Sequence, residues 1–438
     1  MSIELFTILL FVSFFVLLSL GVPLAFTLGF LAVVFGFISQ GSSIFTWTIL
    51  RTWNLINMFS FIAIPLFIFM ANMLRSSGIV DELYGALYRW LGPLRGGLAI
   101  ATVLVCTVLA AMMGVAGGAV IIMGLVSLPF MLRNKYNKSL ALGAILAGGS
   151  LGVLIPPSIV FIIYGVFAGE SIGKLFIGGV GPGLLLSALY VIYIGIRSYL
   201  EPDLAPALPE DERTLSLRQK IGLLRTLILP ILLIMGVLGT IYLGLATPGE
   251  AAGIGAAGAV ICTAIHRQLT WQNLKEAVYG TIKTLGITFW LCVGAYLFAG
   301  VFTLAGGAQY IGEMLSGLPL GRWGILIVMQ IILILLGMVI DTVGLVILLV
   351  PIFVPVITAL GFDSLWFGVV FNVNLQIAYL SPPFGYSLFY LKGVAPSDIT
   401  VTDIYRSALP FIMLQLIGLA LVMAFPQITL WLPSMMIR

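Results

Sequence analysis

Two proline pairs constrain this chain more than any other feature. Pro156-Pro157 returns in the second half as Pro382-Pro383, and Pro129 returns at the same interval as Pro355. Pro23 has a similar counterpart in Pro248, one position short of that interval. Each pair interrupts an apolar segment, and each such segment follows a stretch with almost no charge and glycines at its middle. Proline lacks an N–H and its ring clashes with the preceding turn, so a pair removes two helical donors and frees carbonyls upstream. Inside a bilayer, freed backbone is tolerated only where protein or a cavity shields it. Two related copies of such a break are the sequence sign of a secondary transporter with its site between repeats.

The bilayer itself follows from composition. Of 438 residues, 61% are hydrophobic and 8% charged, too few polar groups to coat a soluble domain. The expected class is therefore an all-α polytopic membrane protein. A net charge of +4, carried by short loops, fits membrane topology and gives no reason to expect nucleic acid. Full crossings are expected at about 4–20, 22–38, 57–75, 139–165 and 176–197, then at about 226–246, 249–265, 284–304, 366–390 and 407–430. The first repeat would occupy 1–200, a hydrophilic cytoplasmic linker 201–224, and the second repeat 225–438. The N-terminus lacks a basic n-region and a convincing cleavage site, so the first span is expected to be kept.

Two stretches do not fit simple crossings. Gly96 to Leu132 carries no charge at all, with Gly114-Val-Ala-Gly117-Gly118 at its middle. That is too long for one helix and short for two crossings plus a turn, and helix is least favoured at the glycines. A re-entrant hairpin over about 96–132 is the better reading. Its counterpart, about 323–357 within the stretch Trp323 to Phe362, has Gly337-Met-Val-Ile-Asp341-Thr342-Val-Gly344 at its tip. The broken helices are expected at about 139–165 and 366–390, each as two half-helices joined by unwound chain.

Charge orients the copies. Arg133, Lys135 and Lys138 follow the first hairpin, whereas the corresponding loop near Thr358 to Ser364 has no base and one acid, Asp363. Basic loops stay cytoplasmic, so the hairpins should open on opposite sides. Five crossings per half, an odd number, also invert the second copy. The scheme places Arg75, Arg89, Arg95, His266, Arg267, Lys275, Lys392 and Arg406 inside and both termini in the periplasm. Arg51, Lys174 and Arg322 fall on the outer side as its exceptions.

No enzyme constellation is present: no His/Cys cluster, no phosphate loop, no nucleophile with a base. Cys106, Cys262 and Cys292 read as small buried residues, and His266 as an interfacial one. Asp341 is the lone charge between Trp323 and Phe362. An ionised carboxylate at that depth needs a partner, an ion or water. It reads equally as a tip residue near substrate or cation and as an N-cap for the second arm. Unwound carbonyls before each proline pair can hold sodium without burying net charge; Gly152 maps to Ala378, Ile155 to Ser381 and Pro157 to Pro383. Ser381 adds a hydroxyl. Substrate contacts must come from the few polar groups at this depth: Ser150, Ser158, Asp341, Thr342, Asn374, Gln376 and Ser387. Tyr164 and Tyr386 read as packing. With no Lys or Arg at the centre, helix N-termini would favour an anion.

At these residues the chain resembles the large membrane subunit of the tripartite ATP-independent periplasmic (TRAP) transporters. The resemblance runs over essentially the whole chain. It is carried by Gly149-Ser-Leu-Gly-Val-Leu-Ile-Pro-Pro-Ser158, Gly337-Met-Val-Ile-Asp341, Asn374-Leu-Gln-Ile-Ala-Tyr-Leu-Ser-Pro-Pro383 and the spacing from Ser171 to Pro182. It implies an elevator-type importer of the bacterial inner membrane with scaffold and transport domains. It also implies Na+ as coupling ion, no organic cofactor, a small four-helix membrane subunit, and a periplasmic binding protein that delivers an organic acid. One sodium site would use Ala110, Gly152, Ile155 and Pro157; the other Gly337, Ala378, Ser381 and Phe384. Where relatives often carry serines at the first tip, this chain has Ala116-Gly117-Gly118. A stand-alone sodium- or proton-coupled anion carrier with the same hairpins is the alternative. A channel or scaffold without coupling is a third reading and gives no reason for two matched breaks.

Overall fold

The computed structural model describes residues 2–114, 116–208, 222–383 and 385–436. Among them there is no strand, and the helices fall into two series offset by the interval of the proline pairs. The first series is α1 (Ile3–Ser19), α2 (Leu24–Gln40), α3 (Ser43–Ile56), α4 (Ala63–Arg75), α5 (Ile79–Leu91), α6 (Gly97–Met113), α7 (Ala116–Arg133), α8 (Lys138–Ser150), α9 (Ile159–Ala168) and α10 (Ile172–Leu200). The second is α11 (Arg225–Tyr242), α12 (Pro248–Ile265), α13 (Trp271–Leu304), α14 (Gly307–Ser316), α15 (Arg322–Gly337), α16 (Thr342–Ala359), α17 (Ser364–Leu380), α18 (Tyr386–Val394) and α19 (Val401–Ala424), followed by the short α20 (Gln427–Ser434). Shifted by the interval of the proline pairs, α7 lands on α16 end to end. The hairpin arms are thus α6–α7 and α15–α16, and the broken helices α8–α9 and α17–α18.

The same local chemistry starts matched elements. Asn137 caps α8 by accepting from the Ser139 and Leu140 N–H groups, and Asp363, its counterpart, accepts from Trp366 N at 2.7 Å to cap α17. Side-chain oxygens at these positions satisfy amides that a helix start leaves unpaired. Capping boxes open α12 (Thr247 with Glu250) and α19 (Thr400 with Asp403). Thr247 also stands before Pro248, the first residue of its helix, where the missing N–H costs nothing.

One difference between the repeats bears on the site. In the first, α3 and α4 meet at a 57° bend; in the second, the equivalent residues form one 34-residue helix, α13. The expected span at about 284–304 is therefore the second half of a helix that begins at Trp271. The amphipathic α3, α5 and α14 also lie outside the expected crossings. In α5 the charges Asp81, Glu82 and Arg89 lower the hydropathy while Val80, Leu83 and Tyr84 still bury one face, so length and hydropathy do not find it. Among the described residues six helices (α10, α11, α12, α13, α16 and α19) are long and apolar enough to cross a membrane. Of these, α16 is a hairpin arm. The apolar α1 and α2, the bent α3–α4 and the two broken helices bring the crossings to about ten.

Two contacts show that the hairpins enter from opposite sides. At the base of the first, Lys138 binds Asp398, beyond the end of α18, at 2.7 Å. At the base of the second, Ser364 O accepts from the Tyr164 hydroxyl, on α9, at 3.1 Å. The α17–α18 segment thus runs from the base of one hairpin, through its break, to the base of the other. The start of the expected linker lies at the first base: Leu204 O and Ala205 O accept from Asn137 N and Gly96 N. The rest of that linker, from residue 209 to 221, lies outside the described residues.

The Lys138 bridge holds the Asp398 carboxyl below its ordinary 3.8 by hydrogen bond and charge. A depressed folded pKa stabilises above the unfolded value and the effect vanishes as pH falls through the folded one. Asp398→Asn should therefore lower the melting temperature slightly at pH 7 and not at all near pH 2, by thermal melts at both. The effect is small because both side chains are at least half exposed, at 50% and 60%.

Candidate functional site

The tips of both hairpins and both broken helices line one cavity of about 420 Å³. Gly114 enters from the first hairpin; Asp341, Thr342 and Val343 enter from the second. Val153, Ile159 and Val160 come from the first broken helix, and Tyr379, Tyr386 and Tyr390 from the second. The opposite wall is Pro23, Leu24 and Ala25 with Thr284, Ile287, Thr288 and Leu291 of α13. Helices α2, α9, α16 and α18 all present their N-terminal turns to this space, at Leu24, Ile159, Thr342 and Tyr386. Each such turn carries unpaired N–H groups and about half a positive charge. Among the described residues no Lys, Arg or His lines the cavity. Its field favours an anion, its single carboxylate opposes one, and it holds no nucleophile paired with a base.

Each proline pair works on a definite carbonyl. Pro156 and Pro157 occupy the i+4 positions of Gly152 and Val153, so these two carbonyls have no helical donor. The Ser158 hydroxyl takes up Val153 O at 2.5 Å, and the Ile155 N–H turns back to Leu151 O at 2.8 Å. Gly152 O gains no such replacement among the described residues. The Pro157 carbonyl faces the first hairpin tip: a Cβ on Gly114 would lie 2.1 Å from it. Gly114 has φ +64, a left-handed conformation that suits glycine, and its N–H donates to Ala110 O at 3.2 Å. Ala110 and Pro157 thus belong to one contact between tip and break, and Gly152 lies in the break itself; Ile155 packs instead on α10, where a Cβ on Gly183 would lie 2.4 Å from its Cγ1.

The second contact is the counterpart. Gly337 ends α15 so close to α17 that an added Cβ would lie 2.6 Å from the Ala378 Cβ. Ala378 O accepts from Ser381 N at 3.3 Å, and the Ser381 hydroxyl donates to Ile377 O at 2.7 Å. Pro383 O accepts from the Tyr405 hydroxyl at 2.8 Å, where its counterpart Pro157 O instead faces a hairpin tip. Both proline pairs are joined by cis peptide bonds. Phe384 lies outside the described residues. These contacts offer carbonyl and hydroxyl oxygens, the donor set of a hard cation. Among the described residues no three His, Cys, Asp or Glu gather as a metal site.

Of the expected substrate residues, Asp341 and Thr342 line the cavity. Asp341 Oδ2 accepts from Val343 N at 3.0 Å, so it also caps α16, and Thr342 Oγ1 lies 3.0 Å from the Tyr379 hydroxyl. The others are placed elsewhere. Ser150 donates to Ala147 O and meets Gln415; Ser158 spans its own break. Asn374 binds Gln330 O and Oε1, at 3.0 and 2.7 Å, and ties α17 to α15. Gln376 and Ser387 are buried, with no hydrogen-bond partner among the described residues. Sequence reasoning does not reach Thr284, Thr288, Tyr379 and Tyr390, and it reads Tyr386 as packing. The available signal is Thr284 and Thr288, four apart and so on one face of a helix, at the point where Lys283 gives way to an apolar run.

Two inverted hairpins and two broken helices around one cavity define a membrane transporter of the secondary class. Residues 11–428 match the profile of the tripartite ATP-independent periplasmic transporter, DctM component, and the chain belongs to that family. It is similar to the C4-dicarboxylate TRAP transporter large permease protein DctM of Pseudomonas aeruginosa, 32% identical with 86% of each chain covered. It is similar also to the sialic acid TRAP transporter large permease protein SiaM of Vibrio cholerae, 30% identical over 96% of each chain. Among solved structures, the YdaH transporter of Alcanivorax borkumensis has a similar fold, with TM-score 0.63, 15% identity and 94% and 97% coverage.

Proposed function

We propose that this chain is the large membrane subunit of a sodium-coupled transporter that imports an organic acid across the bacterial inner membrane. The observation that carries the reading is the cavity wall: among the described residues it has four helix N-termini, one carboxylate and no basic side chain. An organic acid entering this space meets Asp341, and two negative charges at close range in a poorly hydrated site repel strongly. Cations bound at the tip–break contacts relieve that repulsion, which ties anion binding to sodium. Ala110, Gly152, Ile155 and Pro157 would hold one, Gly337, Ala378, Ser381 and Phe384 the other. The relatives named for C4-dicarboxylate and sialic acid support an acid as cargo. In this reading both hairpins move with the broken helices as a transport domain against a scaffold containing α2 and α13, an elevator motion. A small four-helix membrane subunit completes the scaffold, a periplasmic binding protein supplies the acid, and the basic loops with the linker face the cytoplasm.

Proteoliposomes containing this chain, the small subunit and the binding protein should take up the acid only under an inward sodium gradient. Uptake that persists after the gradient is dissipated would remove the coupling. Uptake without the binding protein would favour a stand-alone carrier. Ser381→Leu, which replaces a hydroxyl by bulk, should weaken sodium activation about ten- to a hundredfold, since one lost ligand contact to a charge is worth roughly 1.5–3 kcal/mol. An unchanged sodium dependence would remove the second cation site.

A further inference from the structure

We infer that Arg51 forms a carboxylate-capture site at the end of the molecule away from the basic loops, where the last turn of α9 meets α13. The inference rests on the transport reading and extends it to the route by which an organic acid reaches the cavity. Arg51, on α3, has its guanidinium 4.9 Å from the Trp47 ring and 4.3 Å from the Tyr296 ring. Gly300 of α13 leaves the space: a Cβ there would lie 2.5 Å from Arg51 Nη1. Aromatic rings engage the faces of a guanidinium and leave its in-plane N–H fork to bind a carboxylate in bidentate fashion. Among the described residues no hydrogen bond or ion pair takes up that fork. A cation held in place without an anion is a site ready for one.

Its position gives the site a purpose. Tyr296 also meets Phe167, in the last turn of α9, with ring centroids 5.4 Å apart. Helix α9 runs from the cavity, at Ile159 and Val160, to this point, and α13 also runs from the cavity, at Thr284, Thr288 and Leu291, to Tyr296 and Gly300. At 1.5 Å per residue the aromatic clamp is about 8–14 Å along α13 from Leu291, the last residue of that helix in the cavity wall. It lies at the end where the second hairpin has its base, since Tyr164 of the same α9 binds Ser364. A guanidinium at that end offsets the repulsion of Asp341 for an incoming acid before the cations do.

Phenylglyoxal labelling of the full chain in nanodiscs tests this, with modification of Arg51 followed by peptide mass spectrometry. Millimolar succinate should slow the labelling of Arg51 severalfold, and the uncharged analogue succinamide should not. Gly300→Ala, which pushes the guanidinium off its seat without removing it, should leave Arg51 labelled but no longer protected. Equal rates with and without succinate would overturn the site, as would protection that only the ligand-free periplasmic protein confers. Neither result depends on uptake, so a chain that fails sodium-driven transport while succinate still protects Arg51 would sink the transport reading and leave the site standing.

Discussion

Asp341→Asn is expected to lower sodium-driven uptake by about a hundredfold or more while leaving the fold intact. The reasoning separates two duties of one side chain. As a cap, Asp341 accepts from Val343 N at 3.0 Å, and asparagine caps a helix about as well as aspartate. As a charge, it faces the cavity where the second hairpin tip meets the site. A cation held at the neighbouring tip, if about 4 Å from it, would gain roughly 4 kcal/mol at an effective dielectric near 20, or about a thousandfold in affinity. Asp341→Asn therefore keeps the cap and loses the cation; Asp341→Ala loses both and should also destabilise by about 1 kcal/mol. Thermal melts and sodium titrations of uptake on the two variants check this. If Asp341→Asn transports like the unaltered chain, the carboxylate is a cap and nothing more.

The repeat, the hairpins and the breaks are legible in the sequence because proline and glycine act through the backbone, and backbone consequences do not wait for tertiary structure. Pro156 and Pro157 interrupt a helix whatever surrounds them, and Asp363 caps α17 as Asn137 caps α8. Side-chain partners are another matter. Asn374 has the polarity of a substrate contact, yet its amide is spent on Gln330, 44 residues away. Thr342 and Tyr379 meet across two elements, 37 residues apart, and no spacing rule predicts such a pair. Thr284 and Thr288 reach the cavity because α13 is continuous, whereas the equivalent stretch of the first repeat bends by 57°. Local pattern thus locates the opened backbone; which polar groups surround it depends on packing between distant elements.

The second large effect is expected at the tip–break contacts, and three alanine substitutions separate its causes. Gly114→Ala puts a Cβ 2.1 Å from Pro157 O and holds an L-residue at φ +64. Gly337→Ala puts a Cβ 2.6 Å from the Ala378 Cβ, with no left-handed strain. Gly361→Ala, after the end of α16, has the strain of φ +75 and open space around it. Left-handed strain costs an L-residue roughly 1–2 kcal/mol, whereas backbone overlap below van der Waals distance must move the tip away from the carbonyls that face it. Gly361→Ala should thus lower stability by about 1 kcal/mol and leave sodium dependence alone. Gly337→Ala should raise the sodium concentration for half-maximal uptake about tenfold, a shift of about 1.4 kcal/mol. Gly114→Ala, with overlap and strain together, should raise it further and lower stability as well. Sodium titrations with thermal melts on the three variants give the order. Should Gly361→Ala weaken sodium activation as much as Gly114→Ala does, distance between tip and break is irrelevant to the ion, and the carbonyls at the proline pairs are not its ligands.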